Sequence, residues 1–174
     1  MTSLLTALDH QLNLNLVIWI FPLAFLIHDL EEIFTMERFT RENRERFPKF
    51  LRNIAAINTT QFTIAVGVLF AITLLASYLA TGQQRQVDIF ITALALFLVH
   101  VFWHIATPII FRKYTPGLIT ALLIVMPYSL YAFHRLFGAN WIGSDSLSTA
   151  ILIGVLLFGP LILAVRQIGK LVTH

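Results

Sequence analysis

Apolar residues gather into five long blocks separated by short polar stretches. They run from about Leu12 to Phe34, Ile54 to Leu79, Val87 to Phe111, Pro116 to Phe137 and Leu147 to Val165. A helix needs about 20 mostly apolar residues to cross a bilayer, and each block is of that length. None alternates with the period of two that a half-buried strand requires. The breaks carry turn and capping residues: Thr81-Gly82, Thr115-Pro116-Gly117 and Gly143-Ser144-Asp145. No internal repeat or low-complexity tract interrupts the pattern. The expected fold is therefore all-α, a polytopic transmembrane helical bundle of about five spans, with residues 1–174 forming a single domain.

Composition supports the membrane class. Charged residues make up 12% of the chain and mean hydropathy is +0.79, whereas soluble domains carry about 25% charged residues. There is no cysteine, which excludes disulfides, thiolate metal sites and cysteine nucleophiles. The stretch MTSLLTALDH lacks the basic start of a secretory signal, so the first block reads as a retained membrane helix. The net charge of +3 is small and concentrated in one loop, which argues about topology and against a nucleic-acid partner.

That loop holds Arg38, Arg41, Arg44, Arg46, Lys49 and Arg52. Arg112 and Lys113 follow the third block, and Arg166 and Lys170 follow the fifth. Arg85 and Arg135 fall on the opposite side, so the alternate sides hold ten and two basic residues. Basic loops stay in the cytoplasm, which puts the N-terminus outside and the C-terminus inside a multi-pass protein of the inner cell membrane. In the same loop Phe47, Phe50, Leu51 and Ile54 recur at helical spacing among basic residues, the pattern of a segment lying on anionic lipid. A solvated loop is the competing reading. Pro48 is expected to interrupt any continuous helix there, and Trp141 to sit at the outer interface.

Ionisable residues inside a span are costly, about 2.5–3.5 kcal/mol each on insertion scales, so those present call for partners. His28, Glu31 and Glu32 fall within one sector of the first helix, with Asp29 to one side. His100 and His104 share a face of the third helix. Both sets lie roughly 10 Å in from the cytoplasmic boundary at about 1.5 Å per residue. Two His at i, i+4 are a common way to hold a metal from one helix. His28 and Glu32 could complete the ligand set, a donor mixture that suits zinc or iron. Glu31 is then the candidate general base for bound water. Asn58 and Gln61, expected at similar depth on the second helix, could orient a ligand by hydrogen bonding. The competing readings pair the first-helix carboxylates with Arg38 or Arg41 and leave the histidines as interhelical hydrogen-bonding groups. Glu37, Glu42 and Glu45 read as solvated partners of neighbouring arginines.

His28-Asp29-Leu30-Glu31-Glu32 resembles the signature of the HXXEE family, small membrane proteins found largely in bacteria. His100-Val101-Phe102-Trp103-His104 and Arg112-Lys113-Tyr114-Thr115-Pro116-Gly117 are also similar to that family's pattern, so the resemblance runs from the first helix through the fourth. It implies an integral membrane protein with an active or metal site, and no particular reaction. The zinc-protease motifs HExxH and HxxEH need a second histidine on the motif helix, where this chain has Glu32.

Three functions remain open from the sequence. One is a metal-dependent membrane enzyme with His28, Glu32, His100 and His104 as ligands and a lipid-like or apolar small molecule as substrate, by hydrolysis or oxygen chemistry. The second is a proton-coupled transporter using the same cluster, for which a homodimer could supply the missing repeat. The third is a structural protein whose polar cluster locks helices together. Membrane lipid is the expected surrounding partner in each case.

Overall fold

The computed structural model describes residues 2–49, 52, 56, 58–83 and 85–173, with side chains described from residue 13 onward. Among these, every regular element is helical. Helix α1 spans Thr2–Glu42, α2 Thr59–Thr81, α3 Val87–Phe111, α4 Leu118–Gly138 and α5 Ser144–Val172, with a 3₁₀ turn at Arg44–Arg46. Among the described residues, α2 to α5 are long and apolar enough to cross a membrane, which marks the chain as a membrane protein. Helix α1 is longer than these, at 41 residues, and it buries His28, Asp29 and Glu32 while Arg38, Arg41 and Glu42 in its last turns are exposed.

Side-chain contacts fix how the helices run. The Ser77 hydroxyl donates to the Ile18 carbonyl (3.2 Å) and Thr59 donates to the Glu37 carboxylate, so α1 and α2 are antiparallel. Gly154 lies against Ala95 and Leu96, and Phe158 against His100, so α5 runs parallel to α3. Gly169 abuts Gln61, which sets α5 antiparallel to α2. The helices thus alternate in direction. One pole gathers the end of α1, the start of α2, the end of α3, the start of α4 and the end of α5. Ten of the twelve Lys and Arg residues belong to this basic pole. At the opposite pole the Arg85 guanidinium lies 4.8 Å from the centre of the Trp141 ring.

The prolines explain two local features. Pro22 in α1 has no N–H for the Ile18 carbonyl, and the Ser77 hydroxyl takes that place. Pro127 in α4 likewise withholds a donor from the preceding turn, and a π-helical turn at Ala121–Val125 precedes it. The core between helices is aromatic. Phe21 of α1 meets Phe90 (5.5 Å) and Phe97 (5.6 Å) of α3 and stacks near Tyr128 of α4.

Four boundaries differ from the sequence expectation, the first being that α1 starts at Thr2 and not near Leu12. Helix α1 continues past Phe34 to Glu42, because its final turns hold the i, i+4 pairs Arg38–Glu42 (2.8 Å) and Glu37–Arg41 (3.7 Å). Helix α2 starts at Thr59 and not near Ile54, with the Asn58 side chain capping it by accepting from the Gln61 N–H (2.8 Å). Helix α5 runs on past Val165 to Val172. Phe47 packs on Phe111, while Phe50, Leu51 and Ile54 of the expected interfacial segment lie outside the described residues.

Helix α5 approaches α3 so closely that a Cβ at Gly154 would sit 3.0 Å from the Leu96 nitrogen and 3.3 Å from the Ala95 carbonyl carbon. These are backbone atoms, which cannot swing away. Gly154→Leu is expected to destabilise the bundle by about 1–3 kcal/mol through overpacking. Thermal denaturation in detergent checks this, with Gly67→Leu, whose Cβ would meet nothing within 4 Å, as the neutral control.

Candidate metal centre

Parallel packing, with Phe25 against Phe97 and Phe39 against Phe111, brings the polar sector of α1 against the histidine face of α3. His28 and Glu32 come one turn apart from α1, His100 and His104 one turn apart from α3, and their donor atoms all lie within 4.8 Å of one another. His28, Glu32 and His104 are 1%, 4% and 2% exposed. One Glu32 oxygen is 3.6 Å from His104 Nε2 and the other 3.8 Å from His100 Nε2. Donors on a tetrahedral zinc are roughly 3.3–3.5 Å apart at the usual bond lengths. This is a buried His/Glu group close enough to hold a metal ion.

The surrounding hydrogen bonds decide which nitrogens face inward. His104 Nδ1 donates to the Pro116 carbonyl (2.9 Å), which leaves Nε2 as a bare acceptor on the cluster side. The Thr120 hydroxyl donates to Glu31 (2.6 Å) and so accepts from His28 Nδ1 (2.9 Å). His28 Nε2 is then also bare, and it is buried with no hydrogen-bond partner among the described residues. The Nε2 atoms of His100 and His104 are 2.7 Å apart. That is the length of an N–H···N hydrogen bond, with His100 Nε2 donating to His104 Nε2, and two ligands of a tetrahedral zinc would stand further apart.

Glu31 lies one step outside the cluster. Its carboxylate accepts from the Tyr114 hydroxyl, the Thr120 N–H (2.9 Å) and the Thr120 hydroxyl. Burial and the bond to Glu31 both raise the Tyr114 hydroxyl above its ordinary value, so it remains a donor at neutral pH. Carboxylate, hydroxyl and imidazole thus form a relay from Glu31 through Thr120 to His28, the arrangement by which outer groups fix a ligand's tautomer and orientation. Arg38 and Arg41 pair with Glu42 and Glu37 and do not reach the motif. Glu45 pairs with Arg52 at 2.8 Å.

Asn58 and Gln61 do not join the site. Because α2 begins at Thr59, level with Glu37, Asn58 is its exposed cap. Gln61 donates its side-chain N–H to Thr173 (3.2 Å). The residues that do support the cluster lie in the loop from α3 to α4 and the first turn of α4. Gly117 has φ +77°, and a Cβ there would lie 2.5 Å from His104 Cε1 and 3.0 Å from His28 Cε1. Only glycine combines that backbone with that approach. Pro followed by Gly is a turn signal that calls for positive φ at the glycine, so its conformation was legible in the sequence although its neighbours were not. Nothing in the sequence singled out Thr120.

A cavity of about 900 Å³ adjoins the cluster, within the range of roughly 300–1,000 Å³ typical of small-molecule sites. Its walls come from α1, α2, α3 and α5, with Phe25, Leu69, Leu96 and Phe158 among them, and Glu32, His100, His104 and Asp29 open onto it. It reaches from Asp88 at one pole to Arg166 at the other.

The profile of a family described as "Protein of unknown function with HXXEE motif" matches residues 19–132, which include the cluster, the loop after α3 and most of α4. No curated protein and no solved structure matches the chain.

Proposed function

Because the chain belongs to the HXXEE family and its buried donors adjoin an apolar cavity, we propose that it is a metal-dependent integral membrane enzyme. His28, Glu32, His100 and His104 hold zinc or iron, and the substrate is lipid-like or otherwise apolar. The observation that carries this reading is the bare, buried His28 Nε2 held beside three further donors. A polar atom buried without a partner is costly, and a cation bound there would relieve that cost. Such an ion would supply a Lewis acid and an activated water or oxygen ligand.

The chain's own groups divide the work. Glu32 gives the site its negative charge, and His28 and His104 present Nε2 because Thr120 and Pro116 hold their Nδ1 protons. Glu31, the expected base, acts in this reading as a positioning residue, since hydrogen bonds already engage both its oxygens. Asp29, 5% exposed, stands on the cavity wall. The positive-inside rule favours a cytoplasmic basic pole and an inner-membrane location, with the site approached from that side.

Metal content by mass spectrometry tests the proposal on protein purified in mild detergent without chelator or affinity metal. Near-stoichiometric zinc or iron is the expected result, and its identity separates hydrolytic from oxidative substrates for screening. An intact protein that stays empty after reconstitution with zinc and with ferrous iron would sink the idea. Thr120→Val removes the hydroxyl of the relay at nearly constant shape. It is expected to weaken metal affinity about 10- to 100-fold, while Thr120→Ser retains it, as read by chelator competition.

The pole-to-pole reach of the cavity favours a second reading, a proton-coupled carrier. Proton-driven uptake into proteoliposomes by metal-free protein would support it over the enzyme.

A further inference from the structure

We propose that the substrate is a single-chain amphiphile with an oxyanion headgroup, its head held by Arg166 at the basic pole and its chain laid along α3. The inference rests on the cavity being the substrate site of the proposed enzyme.

Charge complementarity on the cavity wall carries it. Arg166 is the one Lys or Arg among the described residues lining the cavity. It donates one hydrogen bond, to the Ala56 carbonyl (3.0 Å), and forms no ion pair among the described residues. A guanidinium has five N–H donors in a fixed fork, and this one makes a single bond among the described residues. A planar fork matches carboxylate or phosphate oxygens two at a time.

The other charged groups on the wall are carboxylates. Asp29 and Glu32 lie by the cluster and Asp88 lies at the far pole. Asp88 disfavours an oxyanion at the far pole, and Arg166 supplies its counter-charge at the basic pole. An ammonium headgroup would face the opposite pattern and be drawn to the carboxylates. A neutral headgroup would leave the guanidinium without a counter-charge.

The helix register sets the direction of the chain. Helix α5 runs parallel to α3, with Phe158 against His100. Arg166 is two turns further along α5, about 12 Å toward the basic pole at 1.5 Å per residue. A head at Arg166 therefore leaves the rest of the cavity, past the cluster and on toward Ile72, Ala76 and Ile89, for an apolar tail. These walls are too apolar to favour a second polar group at depth.

The test uses the full chain in nanodiscs of neutral phosphatidylcholine. Binding of radiolabelled palmitate, hexadecyl phosphate, hexadecanol and hexadecyltrimethylammonium is compared, and metal content is measured on the same samples. Palmitate or hexadecyl phosphate is expected to bind near one per chain and at least tenfold tighter than the alcohol and the ammonium. Which of the two binds tighter tells a carboxylate head from a phosphate one. Arg166→Gln is expected to erase the preference with metal content unchanged, and Arg166→Lys to keep much of it. Ala93→Phe, which narrows the cavity away from Arg166, is expected to weaken both anions. Alcohol or ammonium binding as tight as the anions would overturn the inference, as would an anion preference that survives Arg166→Gln. Full metal content with no oxyanion preference would refute this inference alone. Selective oxyanion binding by a protein that never takes up metal would refute the enzyme reading alone.

Discussion

Replacing Glu32 with Ala is expected to lower metal affinity by roughly two to four orders of magnitude, the equivalent of about 3–5 kcal/mol for removing one partner of a buried charged set. Glu32 is the only carboxylate within the cluster of four donors, and it is 4% exposed. Without it a dication would sit among neutral imidazoles in a medium that screens poorly. Two measurements check the result. Metal content should fall to background, and the rise in melting temperature expected when metal is added to the natural protein should be absent, because a ligand of the folded state stabilises it. Asp29, within the motif and also buried, lines the cavity and is not among the four donors. If Glu32→Ala retained full metal content, Glu32 would not be a ligand and the donor set would have to be redrawn.

Gly117→Ala is expected to disable the same site without touching a ligand. The left-handed backbone at φ +77° costs a non-glycine residue roughly 1–2 kcal/mol. The new methyl would also meet His104 Cε1 at 2.5 Å, His104 Nδ1 at 2.9 Å and His28 Cε1 at 3.0 Å. Neither ring can yield freely. His104 is tied to Pro116 and His28 to Thr120, and both are buried. A functional constellation tolerates displacements of only about 0.5 Å, so metal affinity should drop at least roughly tenfold while the helical content persists. Gly143→Ala, with φ −109° and no atom within 4 Å of the new Cβ, is the matched control and should bind metal normally. Circular dichroism alongside metal titration separates a lost site from a lost fold.

The His/Glu and His/His pairs were legible because helix geometry makes each of them local. His28 with Glu32 and His100 with His104 are each one turn apart, so each pair shares a face in any α-helix. The alternation of helix direction was legible as well, since each apolar block ends in a recognisable break and the short connections force antiparallel neighbours. The supporting shell was not. Thr120 is an ordinary hydroxyl near the start of an apolar helix, and it matters only because α4 lies against α1 in one particular register. Asn58 illustrates the reverse error. Depth counted from the hydropathy pattern put it beside the cluster, but its capping of α2 places it at the exposed pole.

The sequence by itself determined a helical membrane protein, the gathering of basic residues in alternate loops, the two one-turn pairs of possible donors and the break at Thr115-Pro116-Gly117. These follow from span length, charge bias, helical period and backbone sterics, which act over a few residues. Tertiary structure alone decided that the two pairs meet within 4.8 Å, that Glu31 turns outward to Tyr114 and Thr120, and that Arg166 faces an apolar cavity beside the cluster. Those outcomes depend on the rotation of each helix about its own axis. That rotation is set by close backbone contacts such as Gly154 on Leu96 and Gly117 on His104, between residues far apart in the chain.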